Sequence, residues 1–453
     1  MEKQYEIVVV GGGLAGTFAA VTAARMGHKV LLLEKTGCLG GTLTGCGVGP
    51  MMTGHTGERQ VIGGLFEELT ERMKREGYSC GHVRDTTGYV SYLTPFSAEG
   101  MKWVLDEMAA EAGVDVLFHV MVGAAQRNNR KIERIQVCGC EGLFPVCGDV
   151  FVDATGDGDL AYFAGAPMET GRNGDGQSQP MTMNAKYCGV NRGKLLAYIL
   201  DNIEHFPRLV GKESLLKQSG HLAIAGFARE LERARLTGEV QFEREEVLMF
   251  ETDKRGEFIV NTTRVTGEDG RTSESVSRAE RKGRDQCREL DIFLRKYVPG
   301  FENALLEFTG PAIGIRDSRR LCGAYTLSAA DVIQGKLFDT RIALASYPID
   351  IHNPDGAGTD SIFKMGENGY YSVPYEVMFC REIDNLLVTG RCMSATFEAQ
   401  AAIRTTPTTS AMGQAAGTAA AISLELEGRK KGQVGAVNRE RLQGELKKSG
   451  AIL

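Results

Sequence analysis

The strongest constraint in the sequence is an apolar strand that runs directly into a glycine-rich turn. Residues 6–10 read EIVVV, and residues 11–16 read GGGLAG. A stretch of small residues continues to Gly27, followed by a second apolar segment, KVLLL, over 29–33, and then by Glu34. This order predicts a strand, a tight turn, a helix and a second strand, which is the arrangement that binds dinucleotides in Rossmann-like α/β domains.

Each glycine of the turn has a physical role in such a unit. Gly11 permits the tight turn, Gly13 lets the backbone approach a pyrophosphate, and Gly16 lets the helix pack against the strand. The free amides at the helix N-terminus, at 14–15, attract phosphate. Glu34 would accept hydrogen bonds from ribose hydroxyls and repel a 2′-phosphate, which disfavours NADP. The alternative is a tight turn without a ligand, which three consecutive glycines make entropically costly.

Three later segments distinguish FAD from NAD as the dinucleotide. Residues 35–42 read KTGCLGGT, residues 150–159 read VFVDATGDGD, and residues 385–391 read NLLVTGR, with a helix of small residues predicted at 410–417. In the same order, these segments resemble the second glycine loop, the strand–ATG turn and the flavin-facing helix of FAD-dependent enzymes in the glutathione-reductase superfamily. The N-terminus of such a helix stabilises negative charge on a reduced flavin. A closely packed buried helix is the alternative for the last segment.

The chain as a whole resembles the bacterial FAD-dependent oxidoreductases that carry a DATGDGD signature, here at residues 153–159. The resemblance extends almost from end to end. It implies FAD and a Rossmann-like α/β domain of the glutathione-reductase type, with an inserted α+β substrate or cap domain, but no particular substrate. Two positions depart from the family pattern. Phe397 stands where histidine is common, and Thr405 and Thr406 stand where a hydrophobic pair is common.

The motifs and the resemblance together predict which residues contact FAD. They are Gly11, Gly13, Leu14, Ala15, Gly16, Glu34, Lys35, Gly40, Gly41, Thr42, Val122, Ala154, Thr155, Gly156, Gly390, Arg391, Gly413, Gln414, Ala415 and Ala416.

The chain is predicted to divide into four parts. The first part of the FAD-binding domain spans 1–165, with a substrate-side excursion near 45–95. A substrate or cap region spans 166–345, where charged helices and further strands change the character of the sequence. The closing part of the FAD-binding domain spans 346–428, and residues 429–453 form a charged helical tail.

Two chemistries are disfavoured because their motifs are missing. Disulfide reductases of this superfamily carry a CxxxxC pair after the glycine loop, but Leu43 and Val48 stand at those positions. Cys46 lies between them without a partner at that spacing, so it is predicted to be a packing residue rather than a redox thiol. The sequence also shows no second strand–GxGxxG–helix unit for a nicotinamide cofactor, since the turn at 156–159 lacks the third glycine.

The catalytic candidates are histidines and an arginine near the predicted flavin site. His55 lies in MMTGHTG, directly after the glycine loop, and His352 lies in YPIDIHNP. Imidazole titrates near neutral pH and can move a proton, although a structural role is the alternative for each histidine. Arg404 would stabilise negative charge on the substrate, with an ion pair to Glu398 as the alternative. The arginine cluster GIRDSRR at 314–320 is predicted to form structural pairs with nearby acids.

Composition limits the partners. The chain has 52 basic and 58 acidic residues, a net charge of −6, and no basic block, which disfavours nucleic acid. No apolar run approaches the roughly 18 residues of a membrane span, and no signal-peptide pattern is present. The 11 cysteines include no CxxC pair, which suits a cytoplasmic location and predicts no metal or iron–sulfur site. A homo-oligomer is compatible with all of these features.

These observations predict an FAD-dependent oxidoreductase that transfers a hydride between a small organic substrate and flavin N5. The reaction would oxidise an alcohol or amine, or reduce an activated C=C bond. The alternative is a flavoprotein subunit that passes electrons to a protein partner. The lack of cluster-binding cysteine motifs favours the enzyme.

Overall fold

The computed structural model describes residues 3–453 and is built on a seven-stranded sheet whose central part is parallel. In spatial order, the parallel strands are Asp115–Leu117, Val30–Leu33, Lys3–Val10, Gly142–Asp153 and Leu386–Val388. The mixed α/β class with a Rossmann-like sheet is therefore as predicted from the first 34 residues.

The strand Gly142–Asp153 changes partners along its length. Its first half pairs in antiparallel fashion with Lys131–Gly139, which in turn pairs with Met121–Asn128. Its second half pairs in parallel with Leu386–Val388. The Ala154 amide then donates to the carbonyl of Val10 at 2.8 Å. The polar turn after this strand therefore emerges beside the first glycine turn, at the carboxyl edge where α/β sheets bind ligands.

Successive residues of the first strand point to opposite faces of the sheet. Val9 belongs to a large core shared with the helices Leu14–Arg25 and Thr406–Leu424. Val10 belongs to a smaller core that includes the inward side chains of Lys131–Gly139. This explains the unbroken apolar run at the start of the chain, because both faces of the strand are buried.

A second hydrophobic core is formed by residues from Met181 to Ile313. It rests on an antiparallel sheet whose strands, in spatial order, are Ala223–Gly226, Val247–Glu251, Phe258–Val260, Ala185–Cys188 and Leu305–Thr309. The helix Ser273–Tyr297 contributes Leu290 and Phe293 to this core.

The helices are Leu14–Arg25, Thr42–Gly45, Leu65–Arg75, Ala98–Ala112, Asp159–Phe163, Arg192–Asp201, Glu213–Gln218, Ala228–Leu236, Ser273–Tyr297, Ala329–Ile333, Phe397–Ile403, Thr406–Leu424 and Arg439–Lys448. The short strands are Met51–Met52, His55–Thr56, Arg59–Gln60, Val83–Arg84, Tyr92–Thr94, Met168–Thr170, Arg319–Leu321, Arg341–Ala345, Ile349–His352, Thr359–Ile362 and Tyr371–Pro374. Among the residues described, no helix combines the length and the apolar character needed to span a membrane.

Candidate active site

A cavity of about 470 Å³ lies between the carboxyl edge of the parallel strands and the five-stranded sheet. One part of its wall, which we call the nucleotide part, contains most of the residues predicted to contact FAD. These are Gly11, Gly13, Leu14, Ala15, Glu34, Lys35, Gly40, Gly41, Thr42, Val122, Ala154, Thr155, Gly156, Gly390 and Arg391.

The glycines of the first turn leave the space that a dinucleotide needs. A Cβ on Gly11 would lie 2.8 Å from the Thr155 nitrogen, and the φ angle of Gly11 is +103°, so only glycine fits there. A Cβ on Gly13, in contrast, would meet nothing closer than the Cα of Gly41 at 3.8 Å. The bare backbone of Gly13 therefore faces open cavity, which fits the close approach of a pyrophosphate. Gly16 does not line the cavity, since it packs against Gly11 and Ala154 in the predicted helix-packing role.

Glu34 holds the first turn and the following loop together. One carboxylate oxygen accepts a hydrogen bond from the Gly12 amide at 2.6 Å. The other accepts from the amide and the hydroxyl of Thr36, at 2.7 and 2.8 Å. Charge-assisted bonds of this kind are strong, so the buried carboxylate orders the loop as well as facing the cavity. The contact of Glu34 with a ribose stays a prediction.

The helix Thr406–Leu424, here called the late helix, begins one turn earlier than predicted. Thr405, Thr406 and Thr409 line the cavity, and the side chain of Thr405 does not cap the helix. The first amides of a helix have no intrahelical partner and carry partial positive charge. The N-terminal turn of the late helix thus presents free amides to the cavity.

Gly413, Gln414, Ala415 and Ala416, which are predicted to contact the cofactor, do not line the cavity. Because the helix begins at Thr406, these residues lie two to three turns inside it. Gly413 packs against the first helix, and both alanines are fully buried in the core. The Gln414 side chain accepts from the Leu65 amide at 3.0 Å and donates to the Ser449 hydroxyl at 2.9 Å.

Arg391 forms a buried ion pair beside the nucleotide part. Its Nη2 atom lies 2.6 Å from a carboxylate oxygen of Asp157, which also accepts from the hydroxyl of Ser318. Burial by itself would lower the pKa of Arg391, but Asp157 outweighs this effect and raises it. The Arg391 Nε–H is buried and has no hydrogen-bond partner, so this donor remains free for a bound group.

The rest of the wall, which we call the arginine part, is centred on Asp350. Tyr89 donates to one carboxylate oxygen of Asp350 at 2.7 Å, and Tyr347 donates to the other at 3.1 Å. Arg404 Nη2 lies 3.5 Å from the same carboxylate. Burial would raise the pKa of Asp350, but His352, Arg404 and the Tyr89 hydroxyl together lower it. Asp350 is therefore ionised at neutral pH.

His352 is held as a neutral imidazole by its neighbours. Its Nδ1 atom lies 3.3 Å from Arg244 Nη1 and 3.4 Å from Arg264 Nη1. Because a guanidinium can only donate, Nδ1 must be the acceptor, which leaves the proton on Nε2, 3.5 Å from Asp350. Burial, and then the positive charge of Arg316, lower the pKa of His352. The predicted histidine thus bridges arginines and Asp350 and keeps neither ring nitrogen free.

Two arginines have partners that differ from those expected. Arg404 approaches Asp350 rather than Glu398. In the cluster at 314–320, Asp317 pairs with Arg320 at 2.7 Å, while Arg316 donates to the carbonyl of Pro180 at 2.6 Å and lines the cavity. The prediction of structural pairing therefore fits Arg320 and is wrong for Arg316.

His55, which is predicted to act at the flavin, does not line the cavity. The residue belongs to a two-residue strand paired with Arg59–Gln60, and its ring packs against His82 and Tyr92. His82 in turn contacts Glu67, with 3.0 Å between Nε2 and the carboxylate. Burial, reinforced by His82, lowers the pKa of His55 to about 4.

Sequence reasoning missed most of the arginine part. Tyr89 and Arg244 lie in segments without a recognisable motif and reach the cavity only through the tertiary fold. Asp350 and Tyr347 did carry a signal, because they stand within five residues of His352 in the segment YPIDIH.

Comparison with known proteins gives a family model and several partial relatives. A model described as FAD dependent oxidoreductase matches residues 6–446. Mitochondrial dihydrolipoyl dehydrogenase of Dictyostelium discoideum is 32% identical over 99 residues, which cover 22% of this chain and 19% of that protein. Digeranylgeranylglycerophospholipid reductase 1 of Methanococcoides burtonii is 30% identical over 154 residues, covering 31% and 34%. The chain thus matches only a minor part of each of these curated relatives.

A solved structure extends the likeness over the whole chain. A geranylgeranyl bacteriochlorophyll reductase-like protein from Thermoplasma acidophilum aligns with a TM-score of 0.51 and 14% identity, over 99% of this chain and 84% of that one. At this identity the likeness concerns the fold alone.

Proposed function

Since this chain belongs to the FAD-dependent oxidoreductase family and uses FAD as its cofactor, we propose that it transfers a hydride between a small organic substrate and flavin N5. The observation that carries the proposal is the single cavity, which joins the nucleotide part to the arginine part. A substrate held by the arginine part would share one enclosed space with the cofactor. When bound, FAD supplies the two-electron chemistry through N5.

For the bound cofactor we propose a glutathione-reductase-type arrangement. In this proposal the first turn binds the pyrophosphate, Glu34 faces the ribose, and the N-terminal turn of the late helix faces the flavin ring. The free amides of that turn stabilise negative charge on the ring. We further propose that residues 166–345, which include the separate core from Met181 to Ile313, form the substrate region, and that 1–165 and 346–428 form the FAD-binding domain.

The side chains around Asp350 favour reduction of an activated C=C bond over oxidation of an alcohol or amine. Oxidation needs a base that takes the substrate proton. Both oxygens of Asp350 accept from tyrosines, and His352 Nδ1 accepts from arginines. Neither group is free to act as that base. A proton donor, in contrast, is present.

Tyr347 is the proposed proton donor. Its hydroxyl lies in the cavity wall, and burial, followed by the charge of Asp350, raises its pKa, so it keeps its proton at neutral pH. Without substrate, the Tyr347 O–H donates to Asp350. During reduction it turns from Asp350 to the substrate and gives its proton to the carbon next to the activating group, and solvent replaces that proton. Arg404 stabilises the negative charge that develops on the activating oxygen. His352 acts as a positioning residue for Asp350.

The test is an anaerobic stopped-flow experiment on the purified holoenzyme. Enzyme reduced with one equivalent of dithionite is mixed with enones or enoates, and oxidised enzyme is mixed with alcohols or amines, while flavin absorption is followed. We expect reoxidation by an activated alkene, slowed at least about 100-fold in Tyr347→Phe. Tyr375→Phe is the matched control, because Tyr375 is also buried and donates one hydrogen bond, to the carbonyl of Val434.

Two outcomes would contradict the proposal. Equal rates in Tyr347→Phe and Tyr375→Phe would remove the proton-donor role. The electron-transfer subunit would be supported instead by two results together. No organic compound would change the flavin absorption, and the flavin would exchange electrons rapidly with a co-purifying iron–sulfur protein.

A further inference from the structure

We propose that the substrate is an organic acid whose carboxylate is bound by Arg244, Arg316 and Arg404 in the arginine part of the cavity. This inference rests on the proposed function and adds the chemical class of the substrate. It is carried by three observations on these guanidinium groups: where they lie, what they are paired with, and which of their donors are free.

The first observation is the location. All three arginines line the cavity although they come from distant parts of the chain. The side chain of Arg244 is only 7% exposed, and Arg264, directly behind His352, is 4% exposed. Arginine is seldom buried to this extent without a charged partner, because the desolvation cost is large.

The second observation is an imbalance of charge. Within residues 3–453, neither Arg244 nor Arg316 has a carboxylate within 4.0 Å, and Arg404 shares the single Asp350 at 3.5 Å. The other acids of the wall do not change this balance. Glu246 pairs with Arg208 at 2.8 Å, Glu280 pairs with Arg284 at 3.0 Å, and Glu245 is exposed to solvent. The buried arginine part therefore carries an excess of positive charge.

Arg264 is the exception among the buried arginines. Its Nη2 donates to the backbone carbonyls of Asn353 and Gly358, at 2.6 and 2.7 Å. We therefore assign Arg264 to structural support of the loop behind His352, and not to ligand binding.

The third observation is a set of donors without partners on side chains that line the same cavity. The Nε–H groups of Arg244 and Arg404 are buried and have no hydrogen-bond partner among residues 3–453. Arg316 uses one terminal nitrogen for the carbonyl of Pro180. Each of the three side chains thus keeps part of its planar donor fork available, and this fork matches the two oxygens of a carboxylate. Burial, together with the repulsion from Arg404, Arg244 and Arg264, lowers the pKa of Arg316, a penalty that a bound anion would relieve.

The chemistry of the proposed reaction selects a carboxylate among anions. An inorganic anion offers no carbon that can give or take a hydride. A carboxylate conjugated to a C=C bond carries its activating oxygens on the reacting molecule itself. Guanidinium groups on those oxygens then stabilise the charge that develops when the bond is reduced. Tyr347, which is hydrogen-bonded to Asp350 beside Arg404, is placed to supply the proton.

The test measures binding to the oxidised holoenzyme through changes in flavin absorption. The probes are benzoate, succinate and hexanoate, each compared with its neutral amide, and inorganic phosphate. We expect at least one carboxylate to bind about tenfold to 100-fold more tightly than its amide, and to weaken as ionic strength rises. Arg316→Lys and Arg404→Gln should each weaken that carboxylate about tenfold or more.

Arg130→Gln is the control variant, since Arg130 is exposed and pairs with Asp384 outside the cavity. It should bind the carboxylate as the wild type does. Retention of the flavin spectrum shows that a variant is folded. Arg316→Lys preserves the buried charge, so it tests the donor fork even where removal of the charge prevents folding.

Each other outcome overturns the inference. The inference is overturned if acid and amide bind equally, if phosphate binds more tightly than every carboxylate, or if neither arginine variant changes the binding. The two proposals also fail separately. If the enzyme reduced neutral enones but bound no carboxylate, the proposed function would stand and the carboxylate site would be rejected. If a carboxylate bound in an arginine-dependent way but no organic compound reduced or reoxidised the flavin, the carboxylate site would stand and the proposed reaction would be rejected.

Discussion

Gly413 in the late helix touches the backbone of Ala15 in the first helix. A Cβ on Gly413 would overlap the carbonyl oxygen of Ala15 and lie 2.7 Å from its carbonyl carbon. One turn further on, Gly417 is equally close to the backbone of Ala19. These contacts set the distance between the two helices whose N-terminal ends both line the cavity. The small residues of the late helix therefore act on the cofactor site indirectly, through helix packing.

Gly413→Ala is expected to destabilise the protein by about 1–3 kcal/mol and to weaken FAD retention, because backbone atoms cannot move aside as a flexible side chain would. Urea unfolding and FAD titration of the apoprotein measure the two effects. Gly444→Ala is the matched control. Gly444 lies inside the helix Arg439–Lys448 with nothing within 4 Å of its Cβ position, so the change should stabilise by about 0.5–1 kcal/mol. Equal effects of the two variants would contradict the packing role of Gly413.

Glu34→Gln is expected to weaken FAD binding about tenfold or more while the fold is retained. The amide has one acceptor oxygen in place of two, so a buried donor of Gly12 or Thr36 is left unsatisfied, at a cost of about 1–3 kcal/mol. FAD titration of the apoprotein measures the loss. Glu6→Gln is the control, because Glu6 accepts from the Lys29 amide at 2.7 Å but lies outside the cavity. Loss of FAD binding in both variants would indicate a general effect on the sheet.

His55→Asn is expected to leave flavin chemistry unchanged and to alter the dependence of stability on pH. The folded pKa of His55 is about 4, below the ordinary 6.5, so the unfolded state binds more protons between these values. His55 therefore lowers the free energy of unfolding as pH falls from 6.5 to 4, by at most about 1.4 kcal/mol per pH unit. Denaturant unfolding at several pH values should show a shallower loss in the variant. A slowed flavin reoxidation would restore His55 as a catalytic candidate.

Cys46 is expected to resist alkylation although it lines the cavity. Burial raises the pKa of its thiol to about 11, so roughly one molecule in a thousand carries the reactive thiolate at pH 8. Iodoacetamide followed by peptide mass spectrometry should modify the exposed Cys138 and Cys140 first. Cys46→Ser should keep the wild-type rate of flavin reoxidation. Rapid labelling of Cys46, or a large loss of rate in the variant, would point to thiol chemistry that the sequence pattern disfavours.

Local patterns predicted much of the fold because each depends on residues close together in the chain. The run EIVVV and the turn GGGLAG predicted the first strand, and that strand is observed at Lys3–Val10. Ser97 caps the helix Ala98–Ala112 through a similarly local contact, in which its hydroxyl accepts from the Gly100 amide at 3.3 Å. The late helix was predicted with its first turn missing. The helix begins at Thr406–Pro407, and proline is common in the first turn of a helix. Several neighbouring threonines are equally suitable as the cap residue, so the sequence did not identify where the helix begins.

The sequence by itself determined the first glycine turn of the nucleotide part, because strand, glycine turn, helix and Glu34 lie within 34 residues and their spacing fixes their geometry. The later segments of that part, at 150–159 and 385–391, were predicted from motifs of their own. Only the tertiary structure decided the arginine part. Tyr89, Arg244, Arg316, Asp350 and Arg404 are separated by up to 315 residues, and no local pattern records that their side chains meet. The same holds for His55, which is next to the glycine loop in sequence but is turned toward His82 by a two-residue hairpin. Proximity along the chain predicts a shared site only where the backbone between the residues is itself regular.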